Sequence, residues 1–230
     1  MALTDKRIVI TGAFGSLGTA VVQATQAAGA KVAAIDRAGA PVAGSDLGAA
    51  HVFGDVDLAD SAQAKAAIDA TAKVLGGLDA LVNIAGTFRY ETLTDGSAET
   101  FDLLYRINLR TAVAASKAAL AHLSGGGRIV NIGAASAFFK AGTGVAAYTA
   151  SKSGVMRFTE SLAEELKSRD ITVNALLPSI IDTPPNRKDM PKADFAKWVK
   201  PQQLADVIVF LLSDQASAIT GALIPVTGRV

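Results

Sequence analysis

The sequence predicts a doubly wound α/β fold: a single domain over residues 1–230 whose parallel sheet has about seven strands flanked by helices. Three observations carry that reading. Short β-branched runs alternate with longer Ala-rich stretches of helical period along the whole chain. Several of the short runs are apolar throughout instead of alternating, as strands covered on both faces must be. The first run also enters a glycine-rich turn, T-G-A-F-G-S-L-G at residues 11–18, with a helical stretch directly behind it. Strand, helix and strand repeated in this way call for right-handed crossovers between parallel neighbours.

Taken in order, strands are expected at 7–11, 31–35, 51–54, 80–84, 128–132, 171–177 and 223–226. Helices are expected at 17–28, 61–75, 98–123, 147–168 and 202–212, the last with Leu204, Val207, Ile208 and Leu211 on one stripe. The one long non-periodic segment, 178–200, has four prolines and mixed charge. A loop of that length inside a compact domain is usually functional, here as a substrate lid.

Composition removes whole classes of function. With 22 Lys plus Arg against 21 Asp plus Glu, net charge gives no reason to expect nucleic acid or an anionic membrane as partner. The absence of cysteine excludes disulfides, thiolate metal sites and thiol nucleophiles. Two histidines far apart, His51 and His122, offer no His-based metal site, so no metal is expected. No apolar run reaches transmembrane length, and the first residues pass straight into a strand, so a cytoplasmic protein is the default expectation.

Glycines 12, 15 and 18 can each serve a phosphate-binding turn. Gly12 allows the tight turn, Gly15 lets backbone approach a pyrophosphate, and Gly18 permits close helix–strand packing. The helix that begins at Ser16 and Leu17 would offer the anion its free N–H groups and dipole. Spacing alone also fits an ordinary βα turn. The context raises it, because Asp36 ends the second strand where an acid can accept hydrogen bonds from the adenosine ribose. Such an acid repels a 2′-phosphate, and the adjacent Arg37 blunts that repulsion, so NAD(H) is favoured over NADP(H). Asp55, at the end of the third strand, is placed either to reach the adenine amino group or to serve as a loop acid.

Tyr148 and Lys152 stand at i and i+4 near the start of a helix and share a face. A free tyrosine has a pKa of about 10 and is a poor base near neutrality. A neighbouring ammonium favours phenolate and lowers that value, which would let Tyr148 exchange a proton with an alcohol or carbonyl. A surface Tyr–Lys pair is the alternative, and it is weakened by the phosphate turn at the first strand.

With these residues in place, the chain resembles the short-chain dehydrogenase/reductase family nearly end to end, which implies a Rossmann-type fold and a nicotinamide cofactor. Residues 11–18 resemble its glycine motif, Asp55-Val56 its adenine-contacting pair, and Asn83-Ile84-Ala85-Gly86 its element after strand four. Asn108 matches the helix Asn that supports a water leading to the lysine. Tyr148 and Lys152 match the acid/base Tyr and the Lys that holds the nicotinamide ribose. Pro178, Thr183 and Ile219-Thr220-Gly221 also fall in register. The resemblance further implies a homodimer or homotetramer built through the fourth and fifth helices, with Phe101, Leu104, Ile107, Val155, Phe158 and Leu162 as their apolar residues.

Three departures stand out. Ser16 takes the place of the usual middle glycine, with Gly15 one position early, and Ser179 follows Pro178 where glycine is usual. The family's catalytic serine directly follows strand five, but this chain reads Ile132-Gly133-Ala134-Ala135-Ser136. Either Ser136 serves through a shifted loop or no serine does. The same turn, the alanine and the lid segment 177–195 resemble dihydropteridine reductase within the family. The expected activity is NAD(H)-dependent interconversion of an alcohol and a carbonyl. Reduction of a quinonoid pterin is the second reading, with Asn186 and Phe195 of the lid as contacts, and a nucleotide-binding sensor without turnover is the third.

Overall fold

The computed structural model describes residues 2–41 and 45–230. Seven strands, β1 (Arg7–Thr11), β2 (Lys31–Ile35), β3 (His51–Phe53), β4 (Ala80–Asn83), β5 (Arg128–Ile132), β6 (Thr172–Pro178) and β7 (Leu223–Val226), form one sheet. All pairings are parallel, in the order β3-β2-β1-β4-β5-β6-β7. After β3 the chain returns to the other side of β1, so the connections leaving the carboxyl ends of β1 and β4 run to opposite faces of the sheet. Open α/β sheets bind ligands in the crevice made at such a reversal.

The buried strands show the period of two that a sheet covered on both faces requires. Ile8 and Ile10 pack with Val82, Val130 and Leu176 under α1 (Ser16–Ala27) and α8 (Pro201–Leu212). Val9, Leu81, Ile129 and Val173 face α2 (Ser61–Leu75), α4 (Thr111–Ala119) and α6 (Ala146–Leu166). In α2, Asp60 caps the first turn by accepting from the Ala62 and Gln63 N–H groups, and Gly76 at φ 77° ends the helix.

Two expectations need correction, and one element was not expected. The single helix expected at 98–123 is broken into α3 (Ala98–Leu104), a wider π turn (Tyr105–Arg110) and α4, which ends at Ala119. Apolar periodicity does not register one extra residue in a turn, and π turns of this kind gather at functional positions. The segment 178–200 is not structureless: it holds α7 (Pro184–Asp189), a 3₁₀ turn at Phe195–Lys197 and a bridge between Ile181 and Val199. Thr183 caps α7 with Pro184 at its first position. A short helix, α5 (Ala135–Phe138), follows β5.

The lid is tied together from within. The Arg187 guanidinium donates to both oxygens of Asp182 at 2.6 and 2.8 Å and lies over the Phe195 ring, which itself packs on buried Trp198. The last residues fasten onto its base. Ser179 donates its hydroxyl to the Thr227 carbonyl, the Arg229 N–H donates to the Lys197 carbonyl, and Gly228 (φ 63°) passes so close that a Cβ would lie 2.6 Å from the Lys197 oxygen.

Of the apolar residues named on the fourth and fifth helices, Leu104, Val155 and Leu162 are buried. The apolar side chains left exposed on this side are Phe101, Leu103, Tyr105 and Val113. Among the described residues no helix is long and apolar enough to cross a membrane, and no group of His, Asp and Glu could hold a metal ion.

At the edge of the sheet opposite the crevice, Asp79 accepts from the Arg7 backbone N–H and guanidinium at 2.7 to 2.8 Å, joining β1 to the start of β4. Hydrogen bonding to Arg7 holds the Asp79 carboxyl below the usual carboxylate range. A depressed carboxyl stabilises the fold above its unfolded pKa, and that contribution is lost as pH falls through the folded value. Asp79→Asn should lower Tm near neutrality, with the deficit against the parent shrinking below about pH 4. Thermal unfolding followed by circular dichroism across pH checks this.

Candidate active site

The glycine turn rests on close approaches that only two of its three glycines need. Gly12 sits at φ 64°, and a Cβ there would lie 2.6 Å from the Ala85 nitrogen. A Cβ on Gly18 would lie 2.2 Å from the Gly12 oxygen. Both positions exclude any side chain. Gly15 differs: its backbone is ordinary extended chain, and a Cβ would meet nothing closer than the Gly12 oxygen at 3.7 Å. Gly15 and Ser16 are exposed at the open end of α1, where no side chain caps the first turn. The protein itself has no use for a glycine at 15, whereas a phosphate approaching the free N–H groups does. Moving glycine one place early puts the bare residue at the helix cap, and Ser16 begins the helix.

Thr11, which sequence reasoning passed over, ties this turn to the neighbouring strand: its Oγ1 accepts from the Ile84 and Ala85 N–H groups at 3.2 and 3.3 Å. Only its place as the last residue before the first glycine could have singled it out.

Asp36 ends β2 as expected, and its carboxylate is already employed. Oδ2 accepts from the Phe14 N–H of the glycine turn and Oδ1 from the Ala38 N–H, each at 3.0 Å. Arg37 beside it is exposed. Asp55, at φ 59°, lays its carboxylate against Gly39, where a Cβ would lie 2.9 Å from Oδ2. The Val56 N–H donates to the Asp36 carbonyl, so the two loops that flank this end of the crevice are joined through backbone.

Asn83 is placed otherwise than expected. Its Nδ2 donates to Ser116 Oγ at 3.0 Å and to Asn131 Oδ1 at 2.9 Å, and Asn131 in turn donates to Thr159. The side chain is buried inside the sheet–helix interface and does not line the crevice. Ala85 and Gly86, two and three residues on, do reach it.

The catalytic candidates converge behind Gly86. Lys152 is buried, and its ammonium donates to the Ile132 carbonyl at 2.8 Å. A Cβ on Gly86 would lie 3.4 Å from Lys152 Nζ and 3.1 Å from Asn108 Oδ1. The π turn carries Asn108 into this position, where Oδ1 accepts from the Thr87 N–H at 2.7 Å and Nδ2 donates to Ser151 Oγ at 2.9 Å. Ser151, also not foreseen, passes its own proton to the Tyr148 backbone carbonyl at 2.7 Å. Pro178 is buried at the end of β6 and Thr183 caps the lid helix.

Burial dominates the electrostatics here. It pushes the Tyr148 phenol up to about 12 and the Lys152 ammonium down to about 8. The expected lowering of the Tyr148 pKa calls on Lys152 together with the positive nicotinamide of an oxidised cofactor; in the protein alone desolvation prevails and disfavours each charged form. At neutral pH Lys152 carries its charge and Tyr148 keeps its proton.

Ser136 does not join this group. On α5 it lines a cleft with Phe138 and Lys140 and with Ala146, Thr149 and Ser153 of α6, a lining that includes neither Tyr148 nor Lys152. The position directly after β5 is held by buried Ala134. The lid residues expected to touch substrate serve the lid itself: Asn186 donates to the Ile181 carbonyl at 2.7 Å, and Phe195 lies beneath Arg187.

The family model described as enoyl-(acyl carrier protein) reductase matches residues 12–228. The chain is 32% identical over 248 residues to 2-(S)-hydroxypropyl-CoM dehydrogenase 3 of Xanthobacter autotrophicus, across 98% of this chain and 96% of that protein. It is 31% identical over 243 residues to a 3-oxoacyl-(acyl-carrier-protein) reductase of Thermotoga maritima, across 99% and 98%. A short chain dehydrogenase of Burkholderia cenocepacia, solved in complex with NADP, matches with a TM-score of 0.86 and 31% identity, covering 99% of this chain and 98% of that one. Together with the seven-stranded parallel sheet, these matches place the chain in the short-chain dehydrogenase/reductase family.

Proposed function

We propose that the protein is an NAD(H)-dependent oxidoreductase that interconverts a carbonyl and an alcohol and is best suited to the reductive direction. The observation that carries this is the pair at the start of α6: a protonated Tyr148 one turn before a buried, charged Lys152 held on the Ile132 carbonyl. The relatives named as dehydrogenases and reductases, and the neighbour bound to NADP, support the class of reaction.

The residues present fit a nicotinamide dinucleotide. Gly15 leaves open a space that the protein does not need, beside the uncapped turn of Ser16, Leu17 and Gly18. Gly12 and Gly18 would shape the pyrophosphate turn, Asp36 and Arg37 would meet the adenosine ribose, and Asp55 and Val56 the adenine. Ala85, Gly86, Pro178 and Thr183 would line the nicotinamide side, with Lys152 beneath it. When bound, the cofactor supplies or takes the hydride.

Tyr148 does the proton work. A phenol that stays protonated well above neutrality donates to the oxygen of a carbonyl as that oxygen gains charge. Lys152, one helical turn further on, is the cation that would stabilise the phenolate left behind. Asn108, through Ser151, holds the backbone from which Tyr148 projects. Asp36 disfavours a 2′-phosphate through Coulomb repulsion, which Arg37 offsets only in part. The exposed Phe101, Leu103, Tyr105 and Val113 are the side chains that a second copy of the chain would cover.

Tyr148→Phe keeps the ring and removes the proton, so turnover should fall roughly 10²–10⁴-fold while cofactor affinity stays near the parent value. Carbonyl reduction by the parent should also decline above about pH 8, where Lys152 loses its charge. Steady-state kinetics across pH measure both, and near-normal turnover in Tyr148→Phe would remove Tyr148 from the reaction.

Comparison of kcat/KM with NADH and NADPH tests the cofactor. NADH should be the better reductant, and Asp36→Ala should narrow the gap while weakening both, because the Phe14 N–H loses its acceptor. A parent enzyme that prefers NADPH would mean that Arg37 outweighs Asp36.

Gly15→Ala should change stability by no more than about 0.5 kcal/mol, as surface changes do, yet weaken dinucleotide binding in a fluorescence titration. Gly18→Ala, which forces a clash, should cost about 1–3 kcal/mol of stability instead.

A further inference from the structure

Phe88 is the aromatic neighbour of the Tyr148 ring. It meets that ring edge-on, with centroids 4.9 Å apart and planes at 73°. The hydrogen bonds nearby fix other atoms: Ser151 binds the Tyr148 carbonyl and Ile132 binds Lys152. Phe88 is nevertheless half exposed, so it stands between Tyr148 and solvent without being a core residue.

The residues after Phe88 are clamped to the entry of the helix that carries Tyr148. The Glu91 N–H donates to the Gly144 carbonyl at 2.8 Å, two residues before α6 begins. The Tyr90 ring lies on Gly144, which sits at φ 72° and where a Cβ would come 2.5 Å from the ring. Arg89 turns its guanidinium back onto the Phe88 carbonyl at 3.1 Å. These contacts give Phe88 a fixed seat relative to α6, although no regular element holds it.

We propose that Phe88 is a positioning residue that sets the tilt of the Tyr148 phenol and keeps water from it. This rests on the reading of Tyr148 as the acid/base group. Edge-to-face rings at this spacing have a preferred geometry, so one ring orients the other. The cause of the raised Tyr148 pKa is burial alone, and Phe88 supplies cover on the solvent side. The charged groups around it are accounted for. Lys152 is held on Ile132, Arg89 on the Phe88 carbonyl, Glu91 lies beyond Tyr90, and Asp182 and Arg187 of the lid bind each other.

The test compares the parent with Phe88→Ala, Phe88→Leu and Tyr148→Phe. The chain has three tyrosines, and Tyr90 and Tyr105 are exposed, so subtracting the Tyr148→Phe titration isolates Tyr148 in the ultraviolet absorbance of phenolate. In Phe88→Ala the Tyr148 midpoint should move from about 12 toward about 10, as water reaches the ring. Reductive kcat should fall about 10–100-fold from lost orientation, with NADH affinity by fluorescence titration unchanged. Phe88→Leu, which keeps apolar cover but no ring edge, should restore the midpoint more fully than kcat. A Phe88→Ala variant with an unmoved Tyr148 midpoint, whatever its Tm, would overturn the proposal. Turnover surviving in Tyr148→Phe would instead sink the acid/base reading, and the absorbance midpoint would still decide whether Phe88 shields Tyr148.

Discussion

Where Gly12 passes Ala85 there is no room for a side chain on the glycine, and the site is arranged along that approach. Thr11 holds the two strands at this separation by accepting from Ile84 and Ala85. One residue further, Gly86 passes close to the Asn108 and Lys152 side chains, where a Cβ would be tight but would meet no backbone. The phosphate turn, the end of β4, the π turn and α6 are therefore packed in one unbroken column across the reversal of strand order. Close-packed interiors transmit displacement instead of absorbing it. A shift of β4 against β1 would reach the cofactor turn and Lys152 together.

The interior on the far side of that column is unusually polar for the middle of a parallel sheet. Asn83 and Asn131 are cross-strand partners in register, and they link Ser116 of α4 to Thr159 of α6. Such a network is worth having only when nearly all its groups are paired, and here the Asn83 Oδ1 is left without a partner. Leaving one buried acceptor unpaired costs about 1–3 kcal/mol. Lys152 bears a related cost, since its charge is retained in a desolvated place by one carbonyl. The α6 side of the sheet thus carries two stability penalties, one within the Asn83 network and one at Lys152.

Much of this was legible in the sequence. The strands were readable because several are apolar throughout, and the glycine turn because Gly12 and Gly18 answer to backbone sterics that nothing else satisfies. Tyr148 and Lys152 were readable because one helical turn separates them. What could not be read follows from physics that has no periodic signature. A π turn adds one residue without changing the apolar pattern, so the helix at 98–123 looked continuous. Asn83 matches a motif, yet its side chain belongs to the sheet, because a strand residue's facing depends on register with β5. Ser136 lies close to Tyr148 in sequence but on a short helix, α5, whose four residues turn it toward a different face of α6. The direction of the Tyr148 shift also required burial to be known, since a neighbouring cation and desolvation act in opposite senses.

The fastening of residues 227–229 onto Ser179 and Lys197 bears on how the protein is best handled. Any chain appended after Val230 begins at the base of the lid, next to buried Trp198 and Val199. A purification tag or fluorescent fusion placed there would pull on the base of segment 178–200, and its drag would be felt at Ile181 and Asp182. At the other end of β1, Leu3 is buried in the core while Asp5 and Lys6 make ion pairs with Lys31 and Asp214, so chain added ahead of them pulls on an anchored residue as well.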